Sequence, residues 1–178
     1  MTTLYVDNIA PNLQSKISAP NLTLPSGSIL QVVSATATSA LTNNTSSYTD
    51  LPGMSLNITP SSTSSKILIQ YSLHTFAGGG SGNSNWGTCA TRVLRGSTSV
   101  YSDSDALDNG GGYGSGANMS NGADRIMDRD AHVFIDTPNS TSQLTYKVQG
   151  AELHDRGDQA YFNYYGAPGR IIAMEIAG

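Results

Sequence analysis

A chain of 178 residues with 38% hydrophobic side chains is long enough for one domain with a buried core, but only 12% of its residues are charged, about half the usual share. Ser, Thr, Asn and Gly replace Lys and Glu, which disfavours long helices and favours strands joined by turns. The net charge of −4 excludes a basic nucleic-acid-binding surface as the main function, and no apolar run approaches the roughly 20 residues of a membrane helix. The single cysteine, Cys89, excludes an internal disulfide, and the first residues lack a secretion signal, so we expect synthesis in a cytosol.

The first 27 residues differ from the rest, and we predict an extended docking arm over residues 1–27 and one domain over residues 28–178. Pro11, Pro20 and Pro25 interrupt regular structure, and so short a segment cannot bury its own apolar side chains. The arm therefore packs on its own domain or on a sister subunit, or it anchors the domain to a larger assembly. The side chains expected to dock are Leu4, Val6, Ile9, Leu13 and Ile17.

From Ser28 onward, polar and apolar side chains alternate with the period of two that is typical of half-buried strands. Clear alternation covers residues 54–59, 67–74, 144–149 and 171–176, and weaker candidates cover residues 29–37, 86–95, 131–136 and 159–165. In the last strand we assign Ile172, Met174 and Ile176 to the apolar face. Eight strands separated by turn residues predict an all-β, two-sheet antiparallel β-sandwich of the jelly-roll type.

Two glycine-rich loops, residues 77–85 and 109–122, lie beside aromatic side chains. Neither loop has the Lys-Ser or Lys-Thr of a phosphate-binding loop, whereas aromatic rings next to adaptable polar loops suit recognition of a sugar or an apolar patch. We therefore name Trp86, Tyr101 and Tyr113 as candidate receptor-binding residues. An equally weighted alternative places Trp86 and Tyr101 in the core or at its rim.

The acidic residues predict no metal site. Asp103, Asp105 and Asp108 faintly resemble a calcium loop, but Leu107 occupies a ligand position and no Glu closes the loop, so turn carboxylates explain them better. A calcium site at a lattice or subunit interface is the less favoured alternative. A second charged patch spans residues 124–130 and includes Arg125, Asp128 and Arg129. This patch is either an exposed surface or a subunit interface at which charges select the partner.

No residues in the sequence form a catalytic motif, and we predict neither an enzyme nor a cofactor. His74, His132 and His154 show no repeating acidic spacing, and no serine lies in a Gly-x-Ser-x-Gly elbow. A glycan-degrading enzyme remains the least favoured alternative, because acidic residues near the loops could meet in space.

Six short segments follow one another in a characteristic order: TLYVDNI (3–9), GSILQVVS (27–34), MSLNITPSSTSSKILI (54–69), FIDTP (134–138), YKVQ (146–149) and IAMEI (172–176). In this order of segments the chain resembles tail-fibre and other virion proteins of marine and cyanobacterial tailed phages.

The resemblance implies a small jelly-roll domain that forms a homotrimer, joins the virion through its N-terminal segment and binds a glycan or protein on the host surface. It implies no catalytic residue, and charge and hydropathy already predict no nucleic-acid partner and no membrane insertion. We expect a tail fibre or tail-attached appendage made in the host cytoplasm, and the alternative is a capsid decoration or tail-connecting protein. Candidate interface residues are Arg125, Asp128, Arg129, Ile172, Met174 and Ile176.

Overall fold

The computed structural model describes residues 24–37, 39–78, 88–103, 125–153, 159–164 and 167–178, with the backbone alone for residues 78 and 125–127. The strands of this part are β1 (Ile29–Thr36), β2 (Leu41–Asn43), β3 (Thr49–Ile58), β4 (Lys66–Gly78), β5 (Cys89–Arg95), β6 (Thr98–Ser102), β7 (Arg125–Asp136), β8 (Leu144–Glu152), β9 (Gln159–Phe162) and β10 (Arg170–Ile176). Among these described residues we find no helix with the length and apolarity to cross a membrane.

All strand pairs are antiparallel, and they form two sheets. Sheet A is built around β4, which pairs with β7 on one side and with β10 and then β9 on the other. Strands β1 and β2 extend this sheet by pairing with β10 and β9. Sheet B has the order β3-β8-β5-β6.

The order of pairing is that of a jelly roll. The first strands pair with the last ones (β1 with β10, β2 with β9), and β3 then pairs with β8, β4 with β7 and β5 with β6. A long hairpin rolled into two sheets produces this nested series. The predicted all-β jelly-roll sandwich is therefore confirmed.

The core lies between the sheets and is built from the alternating inward side chains of both. Ile67, Ile69, Tyr71 and Leu73 of β4 are fully buried on the predicted face. They pack with buried side chains of both sheets, which include Met54, Leu56, Ile58, Val93, Tyr146, Val148, Phe162, Ile171 and Ala173.

The residues of β10 that were assigned to the apolar face and named as interface candidates lie on the outer side of sheet A, and the other alternating set faces the core. Ile171, Ala173 and Glu175 are buried, and Ile172, Met174 and Ile176 lie half-buried on the outer side. Both alternating sets of β10 contain apolar residues, so local pattern could not choose between them. The register with β4 decides, because Ile171 and Ala173 pair with the inward residues Tyr71 and Ile69.

Candidate functional site

A buried polar cluster lies between the sheets, where β5, β6 and β7 approach one another. Its centre is the Thr91 hydroxyl, which lies 2.9 Å from Asp103 Oδ2 and 3.0 Å from Asp130 Oδ2. The backbone N–H of Thr91 also donates to both carboxylate oxygens of Asp103, and the Tyr71 hydroxyl lies 2.7 Å from Thr91 Oγ1. Because a hydroxyl has one proton, Thr91 can donate to only one of the two carboxylates at a time.

His132 connects this cluster to the aromatic side chains of the same region. Its Nε2 lies 2.5 Å from Asp130 Oδ1, and its Nδ1 lies 2.5 Å from the hydroxyl of Tyr101. The hydrogen bond to Asp130 raises the pKa of His132, although burial of the ring acts in the opposite direction. A protonated His132 compensates one of the two buried carboxylates.

The same residues provide a possible set of metal ligands that the sequence analysis missed. One ligand atom from each of Asp103, Asp130 and His132 lies within 4.8 Å of the other two, and carboxylate oxygen with imidazole nitrogen suits several divalent metals. Asp130 and His132 are two residues apart on one strand, which places both on the same face. That spacing is the signal in the sequence, but the approach of Asp103 depends on how β6 meets β7.

The burial of the cluster is unfavourable for catalysis. Thr91 has no exposed surface, and Asp130 is only 2% exposed. Because the Thr91 hydroxyl between the two carboxylates is buried, we interpret the cluster of described residues as a structural network.

One of the predicted receptor-binding residues lies against this network. Tyr101 belongs to β6, and its ring stacks on Phe134 with 4.9 Å between ring centroids and meets Tyr71 edge-on. It packs against the core while remaining half-buried. Trp86 and Tyr113 lie outside the described residues, so receptor binding by these aromatic residues remains a prediction.

The predicted interface residues lie on two strands of sheet A. Asp128 and Arg129 are exposed on β7, and a guanidinium nitrogen of Arg129 lies 2.7 Å from His74 Nε2. Arg125 begins the same strand, and its side chain is not described. The outward residues of β10 are Ile172, Met174 and Ile176. The arm residues Leu4, Val6, Ile9, Leu13 and Ile17 lie outside the described part of the chain.

The outer side of sheet A carries an apolar surface that the sequence analysis recognised only along β10. Four side chains from four neighbouring strands form one row across the sheet: Ile135, Leu68, Met174 and Val32. We call the four side chains of this row, together with those of Ile29, Val133, Ile172 and Ile176, the apolar face. Within it, Ile29, Val32, Val133 and Ile135 each expose between 55% and 64% of their area.

An aromatic group on β4 and β9 was also missed. Phe76 stacks on Tyr164 with 5.1 Å between centroids, and Tyr161 lies 4.7 Å from Tyr164 by the same measure. The sequence separates Phe76 from the two tyrosines by more than 80 residues, and only the pairing of β4 with β9 brings them together.

No protein-family model and no curated protein matches this chain. Among solved structures, it is similar to the VP2 subviral particle of infectious bursal disease virus, with a TM-score of 0.41, 16% identity, and coverage of 95% of this chain and 42% of that chain. It is also similar to the Gt strain of that virus (TM-score 0.37, 14% identity, 93% and 42% covered) and to T=1 particles derived from it (TM-score 0.35, 15% identity, 95% and 40% covered). The chain thus spans about two fifths of the length of these proteins. At such TM-scores the likeness has no weight, and the fold assignment is based on the strand pairing alone.

Proposed function

We propose that this chain is a non-catalytic structural protein of a virus particle, and specifically a tail fibre or tail-attached appendage that binds the host surface. Jelly rolls are common among viral coat and lectin domains. Because a fold alone does not imply a function, the proposal also needs support from the surface of the molecule.

The apolar face is the observation that carries the proposal. Val133 and Ile135 on β7 and Val32 on β1 expose more than half of their area, and Leu68 and Met174 connect them across a sheet whose other side already forms the core. Contiguous exposed apolar surface of this kind marks contact with another protein more often than a free surface. A subunit of an assembly would bury it.

The buried polar cluster supports a role without catalysis. Its carboxylates accept hydrogen bonds from the protein itself, and Thr91 is a donor to Asp103 and lies within hydrogen-bond distance of Asp130. Such a network makes the packing of two sheets specific and does not leave a reactive group in a cleft.

The finer parts of the proposal are a homotrimer, attachment to the virion through the arm, and host binding by aromatic residues near the glycine-rich loops. Three weak contacts of a trimer with surface glycans or proteins would act together and give high avidity.

Immunogold labelling of intact phage particles, with an antibody raised against residues 28–178, tests the proposal. Gold at the distal tail appendages is the expected result. Gold over the head would replace the tail assignment with capsid decoration, and particles without gold would refute a virion protein altogether.

Residue changes test the finer parts. Deletion of residues 1–27 should leave a folded domain that no longer joins particles, and Trp86→Ala together with Tyr113→Ala should reduce adsorption to host cells at least about tenfold. Incorporation of the deletion protein would refute the anchoring arm. Unchanged adsorption would refute the receptor assignment.

A further inference from the structure

We propose that the outer side of sheet A binds an acidic sugar, a pyranose ring that carries a carboxylate. The binding residues are the aromatic group of β4 and β9 and a cationic group formed by His74, Arg129 and Arg170. The inference deepens the proposed function by naming a ligand class and a site, and it rests on that function only for the source of the sugar, a polysaccharide of the host surface. The glycine-rich loop of residues 77–85 begins directly after Phe76, so the site adjoins that loop in the sequence.

The cationic group lies on β4 and on the strands that flank it. His74 pairs with Arg129 of β7, and Arg170 of β10 pairs with Ser72, which lies two residues before His74 and therefore on the same face. Both arginines are exposed, and neither forms an ion pair within the part of the chain that the structure describes. Their guanidinium groups thus keep donors for the carboxylate of a ligand, which arginine binds with charge-assisted hydrogen bonds.

The contact between Arg129 and His74 leaves the pair without an acceptor of its own. A guanidinium nitrogen of Arg129 lies 2.7 Å from His74 Nε2. Because a guanidinium group can only donate, Nε2 accepts this hydrogen bond and the imidazole proton then lies on Nδ1. Two basic side chains in contact therefore present N–H groups, and an anion complements them.

No described acidic side chain lies on the outer side of sheet A to compete for these donors. Strand alternation places Asp130, Asp136 and Glu175 on the inner side of β7 and β10. Asp128 is exposed, but it alternates to that same inner side, and its Oδ1 accepts a backbone N–H of its own strand at 2.7 Å. The described charged residues on the outer side are thus all basic.

The aromatic group adjoins the cations on the same face. Phe76 follows His74 by two residues and pairs with Tyr161 of β9. Phe76 stacks on Tyr164 and is itself only 7% exposed, so the half-buried rings of Tyr161 and Tyr164 form the accessible part of the group. Such rings combine an apolar face, which packs on the C–H groups of a sugar, with a polar hydroxyl.

The combination of the two groups selects the ligand class. Two residues along a strand span about 7 Å, so a sugar ring stacked on the tyrosines can direct a carboxylate to His74 and Arg129. Cations alone would suit any small anion, and aromatic rings alone would suit a neutral sugar. Nucleic acid also combines rings with negative charge, but the net charge of −4 disfavours so strong a polyanion.

Isothermal titration calorimetry of the full-length protein with trigalacturonate is the test, because each pyranose ring of this trisaccharide carries a carboxylate. We expect saturable binding by the wild type. The methyl ester keeps the rings and removes the charge, so it should bind at least about tenfold more weakly. Arg129→Gln should also weaken binding of trigalacturonate at least about tenfold, and circular dichroism verifies that each variant is folded.

Two matched controls separate the site from its surroundings. Lys66→Gln removes one positive charge from the same face, but Lys66 is exposed eight residues before His74 on β4, about 26 Å away, so binding should not change. Tyr161→Leu removes an aromatic ring and should weaken binding at least about threefold. Tyr161→Phe keeps the ring and should bind as the wild type does.

Absence of trigalacturonate binding, or equal binding of its methyl ester, would overturn the inference. Equal losses in Arg129→Gln and Lys66→Gln would show a general attraction of anions and would overturn the site, as would tighter binding of a single-stranded oligonucleotide of the same charge. A protein that binds the trisaccharide but is absent from virus particles would refute the proposed function and leave this inference intact. A particle-bound protein that does not bind it would do the reverse.

Discussion

Two buried carboxylate sites in this sandwich are stabilised by different kinds of partner. Glu175 pairs with Ile67 near the start of β4, and Asp130 pairs with Leu73 six residues further along the same strand. Both carboxylates are almost completely removed from solvent. Burial of a charge is costly unless the protein supplies partners, so the number and type of partners determine how each site behaves.

Among the described residues, the hydrogen-bond donors to Glu175 are all neutral. Its Oε1 accepts from the backbone N–H of Ser61 at 2.7 Å and from the hydroxyls of Ser61 and Ser65 at 2.6 and 2.7 Å, and its Oε2 accepts from Gln31 at 2.6 Å. Burial by itself would raise the pKa, but these hydrogen bonds outweigh it and lower the pKa of Glu175 to about 2. The side chain thus holds the segment between β3 and β4 against β10 and β1.

The cluster around Thr91 depends on a proton as well as on donors. Asp103 and Asp130 both approach the same hydroxyl, and His132 supplies a positive charge to Asp130 when it is protonated. The comparison shows that one carboxylate with enough neutral donors remains ionised over a wide pH range. The two carboxylates around Thr91 have a titratable cation, His132, beside one of them, in addition to the hydroxyl and the backbone N–H of Thr91.

The largest expected effect comes from Glu175→Gln. The amide keeps one acceptor oxygen, which can replace Oε1 opposite Ser61 and Ser65, but its NH2 group then faces the Gln31 donor in place of Oε2. Because one acceptor is lost and the other is no longer charged, we expect the free energy of unfolding to fall by about 3 kcal/mol. Chemical denaturation at neutral pH measures it. Asp50→Asn is the control, because its partner Lys147 and the 55% exposed Asp50 carboxylate form a surface pair of small energetic value.

The pH dependence of this difference checks its cause. The pKa of Glu175 lies below the ordinary 4.5. The contribution of the ionised side chain to folding stability is therefore complete above pH 4.5 and is lost as the pH falls toward 2. The stability difference between wild type and Glu175→Gln should therefore shrink from about pH 6 to about pH 2. A difference that stays constant with pH would show that packing, and not ionisation, holds the site.

Thr91→Val should have the next largest effect. Valine has nearly the same shape but cannot donate, which leaves the carboxylates of Asp103 and Asp130 facing each other without the shared hydroxyl. We therefore expect the free energy of unfolding to fall by about 2 kcal/mol. Thr88→Val is the matched control, because Thr88 is also fully buried and its hydroxyl has no hydrogen-bond partner in the described part of the chain. Equal losses in both variants would contradict the proposed role of the shared hydroxyl.

His132→Gln should have the smallest effect and lower the free energy of unfolding by about 1 kcal/mol. Because the folded state raises the pKa of His132, its contribution is complete below the ordinary value of 6.5 and is lost as the pH rises through the raised value. Thermal unfolding of wild type and variant should therefore differ at about pH 6 and converge at about pH 9. His74→Gln, whose ring faces Arg129, is the control, and a variant that differs from wild type by the same amount at every pH would contradict the proton-dependent role.

Part of the fold could be predicted because strand alternation is a local property. The inward face of β4 followed from Ile67, Ile69, Tyr71 and Leu73, since Gln70, Ser72 and His74 are polar and Leu68 is the one apolar residue on the opposite face of the strand. The short strand β6 was missed, because five residues after the turn at Gly96 carry too little pattern to distinguish them from a loop.

The candidate site could be predicted only in fragments. Asp130 and His132 lie two residues apart, which indicates one face of a strand, but nothing local indicates that Thr91 and Asp103 face them. Tyr101 was recognised as an aromatic residue beside a loop, and its stacking on Phe134 depends on how the two sheets pack. Side chains from different sheets meet because strands that are distant in sequence pair with each other. The local pattern of one sequence does not reveal which strands pair.

By itself, the sequence determined that this protein is a charge-poor all-β sandwich, because period-two alternation and turn residues act within a few positions of one another. The tertiary structure decided that Glu175 is buried, that Ile172 and Met174 lie outside, and that four strands align their apolar residues in one row. These outcomes depend on the register between strands that are distant in sequence, and a shift of one residue would reverse every side chain of β10.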